Sequence, residues 1–358
     1  MRIKSITLHS LRLPLPKPYK VAFKTYETFD PIVVEVYDRD GKQGWGESHI
    51  PEGYSSYETP KSGWDFCRNL GDEIVGAEIT SAKETISANL SKSPMAATAM
   101  MSAFESLEDN PILTLDQDFR IPLLAPLRSK TLDEIPDEVE QLIEDGFKTI
   151  KVKVGWDVVE DATRVNKVQL AAANRAIIRL DANRNFGQED AARFSQLLIP
   201  EGIELFEQPC GAEEWAANTY VASVSPVPIM LDESIYTIDD VERAGVIKGV
   251  EFCKMKLKRA GSIDRLKSAM DRCRSLGMGA VVGDGVATEI GNYMEACCAR
   301  LTTKLAGEMN GFLKPDVRLF SDPLLFERGN IQLRKGFKMQ VDRTVLEKYT
   351  IYSESFVQ

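Results

Sequence analysis

Histidine is scarce in this chain of 358 residues, and its scarcity limits the chemistry that the protein can perform. The only two histidines, His9 and His49, both lie in the first fifth of the sequence. A histidine-rich zinc centre is therefore excluded by count, and a Ser-His-Asp arrangement is disfavoured by position. We expect acid–base chemistry in this protein to depend on Lys, Asp, Glu or Tyr.

Several other features are missing. No apolar run approaches the roughly 20 residues of a membrane span, and the N-terminus lacks the apolar core of a signal peptide. The six cysteines show no C-x-x-C spacing, so we expect them to be reduced and buried in a cytoplasmic protein. A net charge of −10 disfavours nucleic-acid and anionic membrane partners, which need clustered Lys and Arg.

A repeat of strands and helices is what the sequence does contain. From residue 119 onward, strand-like runs alternate with amphipathic helical stretches at about 25-residue intervals, giving eight β-α units. This pattern predicts a (β/α)8-type barrel. The rival, a doubly wound α/β sheet, would need a glycine-rich phosphate loop after the first strand, and none is found there.

The segments on either side of this repeat have a different character. VVEVYDRDGKQGWGES predicts two strands joined by a turn, and SPMAATAMMSAFESLED predicts a helix with a serine cap. We therefore predict an N-terminal α+β domain over residues 1–115 and a barrel that carries the active site over 116–334. Residues 335–358 are predicted to return to the N-terminal domain.

Three consecutive barrel strands are predicted to end in a carboxylate. Asp181 ends the third in LDAN, Glu207 ends the fourth in FEQP, and Asp232 follows the fifth in LDES. Active sites of such barrels collect at the carboxyl ends of the strands, so these side chains should meet. Converging carboxylates repel one another unless a cation lies among them, and an all-oxygen ligand set suits Mg²⁺.

Lysines flank this carboxylate cluster on both sides. Lys151 and Lys153 are predicted to point to one face of the second strand, and Lys254 and Lys256 belong to the sixth. A neighbouring ammonium and a metal ion both penalise the charged form of a lysine, so Lys151 is expected to help Lys153 act as a base. Such groups could remove the proton next to a substrate carboxylate, with the metal ion stabilising the enediolate that forms.

Each of these features also has an ordinary structural explanation. A lysine pair on a strand often faces solvent, and an Asp after a strand often caps a helix. The repetition at successive strand ends favours the catalytic interpretation. A barrel that only binds a ligand remains the alternative from a different class, and it is disfavoured because no candidate ligand or base is missing.

The motifs GWGES, KVKVG, LDANRNF, FEQP, LDES and KMKLKRAGS together resemble those of the enolase superfamily, specifically its muconate lactonizing enzyme subgroup. The resemblance implies a modified TIM barrel with an N-terminal capping domain and a homo-oligomeric assembly. It implies that Asp181, Glu207 and Asp232 bind Mg²⁺. It also implies that Lys153 and Lys256 act as acid and base on opposite faces of a small carboxylate substrate, with Lys151 and Lys254 in support.

The chain departs from the usual motifs at positions that select the substrate. Lys254 stands where that family usually has Asn, and Glu308 and Asn310 stand where dipeptide epimerases carry an Asp-x-Asp pair for a substrate ammonium. A weaker resemblance links GDGVATEIGNYMEAC and GEMNGFLK to the cis-3-hydroxy-L-proline dehydratase branch. It implies dehydration of a cyclic amino acid such as cis-3-hydroxy-L-proline, with Asp284 or Glu308 holding the ammonium.

Other reactions of the same enediolate remain open from the sequence. They are racemisation or epimerisation of an amino-acid derivative (proline betaine, an N-acyl amino acid or a dipeptide) and a muconate-type cycloisomerisation. Aromatic loops of the N-terminal domain, over 22–29 and 47–60, are predicted to close the site. The predicted substrate-binding residues are Asn183, Asp284, Glu308, Asn310, Phe23, Tyr26, His49, Tyr54 and Tyr57.

Overall fold

The computed structural model describes residues 1–20, 25–52 and 58–358. The N-terminal part contains five strands followed by three helices. The strands are β1 (Ile3–Leu11), β2 (Leu13–Lys20), β3 (Thr25–Phe29), β4 (Ile32–Asp38) and β5 (Gln43–Ser48), and the helices are α1 (Pro60–Ile74), α2 (Ile79–Asn89) and α3 (Pro94–Leu107).

The rest of the chain alternates strands with helices and ends in a helix followed by a strand. In order, its elements are β6 (Phe119–Pro122), β7 (Ala125–Pro126), α4 (Ile135–Glu144), β8 (Thr149–Lys153), α5 (Val158–Ala172), β9 (Ile177–Asp181), α6 (Gln188–Gln196), β10 (Ile203–Glu207), α7 (Trp215–Val224), β11 (Ile229–Leu231), α8 (Ile238–Gly245), β12 (Val250–Met255), α9 (Leu257–Ala260), α10 (Ile263–Ser275), β13 (Gly279–Val282), α11 (Glu289–Thr302), β14 (Leu325–Glu327), β15 (Asn330–Leu333), α12 (Arg343–Tyr349) and β16 (Thr350–Val357).

The predicted barrel is confirmed. Seven parallel strands lie side by side in the order β7 to β13. Residues 307 and 308 take the place of an eighth strand: the Glu308 amide donates to the Val282 carbonyl (2.7 Å), and the Leu124 amide donates to the Gly307 carbonyl (2.9 Å). These bonds join the two edges of the sheet, so the strand ends form a single ring around one mouth.

The capping domain is an antiparallel sheet covered by helices. Its four strands lie in the order β16-β1-β4-β5, and β16 pairs antiparallel with β1. Buried residues of the sheet, including Ile6, Leu8 and Val34, pack with apolar residues of α3 in one core. The last strand of the chain thus lies in the same sheet as the first, while the domain boundaries at residues 115 and 334 stay predictions.

Two buried carboxylates attach the capping domain to the barrel. Glu105, on α3, accepts hydrogen bonds from the amides of Ile263 (2.7 Å) and Asp264 (3.1 Å) at the start of α10. Glu47, on β5, accepts one from the Thr288 amide (2.7 Å) beside the start of α11. Burial raises the pKa of each carboxyl to about 7. Each carboxylate satisfies amides that the helix itself leaves unpaired, so the two domains are held in a defined orientation.

The structure adds one observation about membranes. In the described part of the chain, no helix has the length and apolar character needed to cross a bilayer.

Close packing between β5 and α3 gives a stability prediction. A Cβ atom at Gly46 would lie 2.2 Å from the carbonyl oxygen of Ala99 and 2.5 Å from the amide nitrogen of Ala103. We expect Gly46→Ala to lower the free energy of unfolding by about 1–3 kcal/mol, because the helix must move away from the sheet. The measurement is chemical denaturation followed by circular dichroism.

Gly187→Ala is the matched control, since a Cβ there would meet nothing within 4 Å. Its effect should stay within about 1 kcal/mol. Equal destabilisation by the two substitutions would contradict the packing argument.

Candidate active site

The three predicted metal-binding carboxylates meet at the barrel mouth. Asp181 is the last residue of β9, Glu207 is the last residue of β10, and Asp232 directly follows β11. The parallel register sets Glu207 opposite Asp181. All three residues are almost fully buried, with exposures of 1%, 1% and 3%.

The ammonium group of Lys151 lies between two of these carboxylates. Its Nζ atom is 2.8 Å from Asp181 Oδ2, 3.0 Å from Glu207 Oε2 and 2.9 Å from Glu308 Oε2. Burial by itself would lower the pKa of Lys151, but the three carboxylates outweigh burial and hold that pKa well above its usual value. Lys151 is therefore held as a cation on the same strand as Lys153.

Lys153 lies on the same strand and reaches into the mouth from the side of β8. Its Nζ atom is 2.5 Å from Asp181 Oδ2 and also donates to Asn183 Oδ1. Asn183 in turn donates to Glu233 Oε1 at 3.3 Å. About a third of the Lys153 side chain is exposed, at 34%, so this amino group can reach a molecule in the pocket.

Lys256 lies on the other side of the three carboxylates, directly after β12. Its Nζ atom is 2.9 Å from Asp232, and Arg259 donates to the same carboxylate at 3.0 Å. Burial opposes ionisation of Asp232, but Lys256 and Arg259 outweigh it and hold its pKa well below the usual range. The strands β9, β10 and β11 separate the two lysines, so Lys153 and Lys256 face the pocket from opposite sides.

Lys254 and Glu308 form a buried ion pair behind the mouth. Lys254 Nζ lies 2.6 Å from Glu308 Oε2 and 3.7 Å from Glu207 Oε1. Burial opposes ionisation of Glu308, but Lys151 and Lys254 hold its pKa well below the usual value. The unusual lysine at position 254 therefore has a carboxylate partner at the eighth strand position.

The three carboxylates provide oxygen donors of the kind that a divalent cation takes. As the side chains lie in the described ranges, no three Asp, Glu, His or Cys residues are grouped to hold one ion, because lysine and arginine cations already lie against the carboxylates. Neither oxygen of Glu207, however, finds a hydrogen-bond partner within these ranges. Burial, followed by the charge of Asp181, raises the pKa of Glu207. Lys151 lies 3.0 Å from one of these oxygens, but the carboxylate keeps lone pairs that no hydrogen bond uses, and such oxygen donors suit Mg²⁺.

A pocket opens above these groups, and the capping domain supplies one of its walls. Lys151, Lys153, Asp181, Asn183, Asp232, Lys256, Asp284, Glu308 and Tyr26 all line it, so nine predicted site residues converge there. Glu207 and Lys254 lie beneath them. His49 packs edge-on against Tyr26 (ring centroids 5.6 Å apart) and lines a smaller adjoining pocket. The predictions for Phe23, Tyr54 and Tyr57 fall outside the described residues.

Six residues that line this pocket were not among the predicted site residues: Tyr19, Pro51, Arg184, Glu233, Lys258 and Val286. Tyr19, from β2, lines it beside Tyr26, with ring centroids 6.5 Å apart, and Arg184 lies at its mouth 3.7 Å from Glu233 Oε1. Tyr19 lies on the strand just before the 22–29 loop that was predicted to close the site. Extending that prediction to the preceding strand would have included Tyr19. Arg184 adopts a positive φ of 72°, which local pattern reasoning does not anticipate.

The comparisons with known proteins agree with the barrel fold. Residues 134–343 match the family described as "Enolase C-terminal domain-like". The chain belongs to the enolase superfamily. Within it the muconate lactonizing enzyme subgroup is supported, and the chain is one of the superfamily's enzymes.

Relatives of this superfamily member extend along most of its length. An L-Ala-D/L-Glu epimerase of Bacillus subtilis is 24% identical over 309 residues, covering 81% of this chain and 83% of the epimerase. The N-succinyl Arg/Lys racemase of Bacillus cereus superposes with a TM-score of 0.89 at 20% identity, covering 99% and 100% of the two chains. A dipeptide epimerase of Cytophaga hutchinsonii, solved with Mg and D-Ala-L-Val, superposes with a TM-score of 0.87 at 20% identity over 99% and 100%.

The buried oxygens of Glu207, which accept no hydrogen bond within the described ranges, give a prediction for metal binding. We expect Glu207→Gln to weaken Mg²⁺ binding at least about tenfold, because an amide carries no charge to offset the ion's desolvation. Isothermal titration calorimetry with MgCl₂ measures this directly and requires no substrate.

Asp190→Asn, on the exposed side of α6, is the control and should leave the Mg²⁺ dissociation constant unchanged. Undiminished binding by the Glu207 variant would remove Glu207 from the ligand set.

Proposed function

We propose that this enzyme racemises or epimerises an amino-acid derivative by moving the proton on the carbon next to its carboxylate. The observation that carries the proposal is the placement of Lys153 and Lys256 on opposite sides of one carboxylate cluster. The epimerase and racemase names of its relatives support the same reaction class.

The chemistry requires two proton-transferring groups and a stabilised intermediate. Lys153 would take the proton from one face of the carbon, and Lys256 would deliver a proton to the other face, so that the configuration inverts and no proton is gained or lost overall. Mg²⁺, held by Asp181, Glu207 and Asp232, would supply positive charge to offset the second negative charge of the enediolate. Lys151, held as a cation by three carboxylates, would add positive charge beside the reacting groups.

The arrangement of the two lysines favours inversion over dehydration of a cyclic amino acid. Lys153 contacts Asp181 and Lys256 contacts Asp232, so each amino group is held by a different carboxylate of the proposed metal site. Such equivalent placement suits two bases that exchange roles between the two directions of a racemisation. Dehydration needs only one base and one acid for the leaving hydroxide, and the relatives support it less well.

The two-base arrangement predicts opposite stereochemical losses in two variants. In D₂O with Mg²⁺, Lys153→Ala should lose α-proton exchange for one enantiomer of a substrate, and Lys256→Ala should lose it for the other. Both should racemise at least about a thousandfold more slowly than the wild type. Proton NMR measures exchange, and circular dichroism measures racemisation.

Lys248→Ala, an exposed position on the same barrel, should behave as the wild type. Mg²⁺ titration of all three variants checks that the site is intact. Loss of exchange for the same enantiomer in both lysine variants would rule out a two-base racemisation.

A further inference from the structure

The carboxylate at the eighth strand position is already neutralised from within the chain. Glu308 Oε2 lies 2.9 Å from Lys151 Nζ and 2.6 Å from Lys254 Nζ. Glu308 is 7% exposed, and two buried ammonium groups share one of its oxygens. A third ammonium from a substrate would have to compete with both, in a place where water cannot screen the repulsion.

The neighbouring positions on this wall are also occupied. Asp284, two residues after the end of β13, is ion-paired with Lys258. Asn310 accepts from Lys314 Nζ at 2.9 Å and donates to the Leu124 carbonyl at 3.2 Å. Lys314 further donates to the Gly285 carbonyl at 2.5 Å and lies over the Tyr19 ring, 4.4 Å from its centroid.

Each carboxylate on this wall already has a lysine partner. Lys151 and Lys254 share Glu308 and also lie against Glu207, and Lys258 is paired with Asp284. A substrate ammonium placed here would find no carboxylate without a cation. Carbonyl or carboxylate oxygens would instead meet the N–H donors of these lysines.

The remaining acidic side chain of the pocket lies on the other wall. Glu233 accepts from Asn183, which is bonded to Lys153, and lies next to Asp232 in sequence. Arg184 approaches the same carboxylate at 3.7 Å. Glu233 therefore belongs to the side where the metal and the substrate carboxylate are proposed to bind, away from the wall formed by the last two strand positions.

We propose that the substrate carries an uncharged, acylated nitrogen, and that its acyl oxygens face the wall formed by Asp284, Glu308 and their lysines. The substrate class is thus N-acyl amino acids, in preference to dipeptides or cyclic amino acids with a charged nitrogen. This inference rests on the proposed racemase or epimerase function, which it narrows.

Matched ligand pairs test the inference separately from the reaction. N-acetyl-L-leucine and glycyl-L-leucine differ only by an ammonium in place of one methyl hydrogen, and analogous pairs can be made for Ala, Phe, Glu, Lys and Arg. Calorimetry with Mg²⁺ present gives dissociation constants, and proton NMR in D₂O gives kcat/KM for α-proton exchange. For the side chain that binds best, we expect the N-acetyl compound to be favoured at least about tenfold in both.

Each result has a definite consequence. Equal or tighter binding of the glycyl member overturns the inference, as does failure of every N-acetyl compound to bind. If the N-acetyl compounds bind selectively but no α-proton exchanges, the nitrogen inference holds and the proposed reaction fails. Exchange of glycyl substrates with at least equal efficiency would leave the reaction standing and overturn the inference.

Two variants probe the internal ion pair directly. Lys258→Met releases Asp284, so the preference for the N-acetyl member should shift at least about tenfold toward the glycyl member. Lys267→Met removes a lysine from a surface pair with Asp271 and should leave the preference unchanged. If Lys258→Met does not fold, Asp284→Asn provides the test: it should keep the N-acetyl preference, and loss of glycyl binding alone would overturn the inference.

Discussion

The rest of the active site depends on buried carboxylates at the ends of adjacent parallel strands, because the strand register places them side by side. β9 and β10 are aligned so that Asp181 and Glu207 stand side by side, and Asp232 follows on the next strand. Three such charges cannot remain in a region with almost no water unless cations are present. The lysines around the mouth and the proposed metal ion both supply the positive charge that these carboxylates need.

The lysines that neutralise these carboxylates differ in how much of each side chain is exposed. Lys151 and Lys254 are almost fully buried, with exposures of 3% and 1%, and are paired with carboxylates behind the mouth. Lys153 is partly exposed to the pocket, which suits a group that must touch a substrate. Exposure thus gives Lys153 access to a substrate, whereas Lys256, which is 5% exposed, depends on its place in the pocket lining.

The sequence predicted the strand-end residues because their positions follow from a local repeat. Asp181, Glu207, Asp232 and the lysines of the second and sixth strands could be placed by counting β-α units, and the barrel itself followed from the same repeat. The pairing of Lys254 with Glu308, or of Lys258 with Asp284, could not be placed in this way. Such pairs join side chains on different strands, and their geometry depends on how the closed barrel packs.

Because the sequence does not show these ion pairs, it could not distinguish a cyclic amino-acid substrate from an acyclic amino-acid derivative. An acidic residue at a strand end is a candidate to bind a substrate ammonium as long as its ion-pair partner in the protein is unknown. Once Glu308 is seen between two lysines and Asp284 beside a third, neither has a charge left to offer. The choice of substrate therefore depends on which acidic side chains of the pocket already have a cationic partner, and not only on which acidic side chains are present.

The capping domain contributes side chains to the pocket because it is attached to the starts of two barrel helices. Glu47 and Glu105 hold it against the starts of α11 and α10, which leads its β2 and β3 strands to bring Tyr19 and Tyr26 to the pocket. Tyr19 also covers Lys314, whose pKa burial lowers to about 8, so this lysine remains mostly charged at neutral pH. The Tyr19 ring covers an ammonium that already donates to the Gly285 carbonyl and to Asn310, so the capping domain and the barrel share one polar contact network beside the pocket.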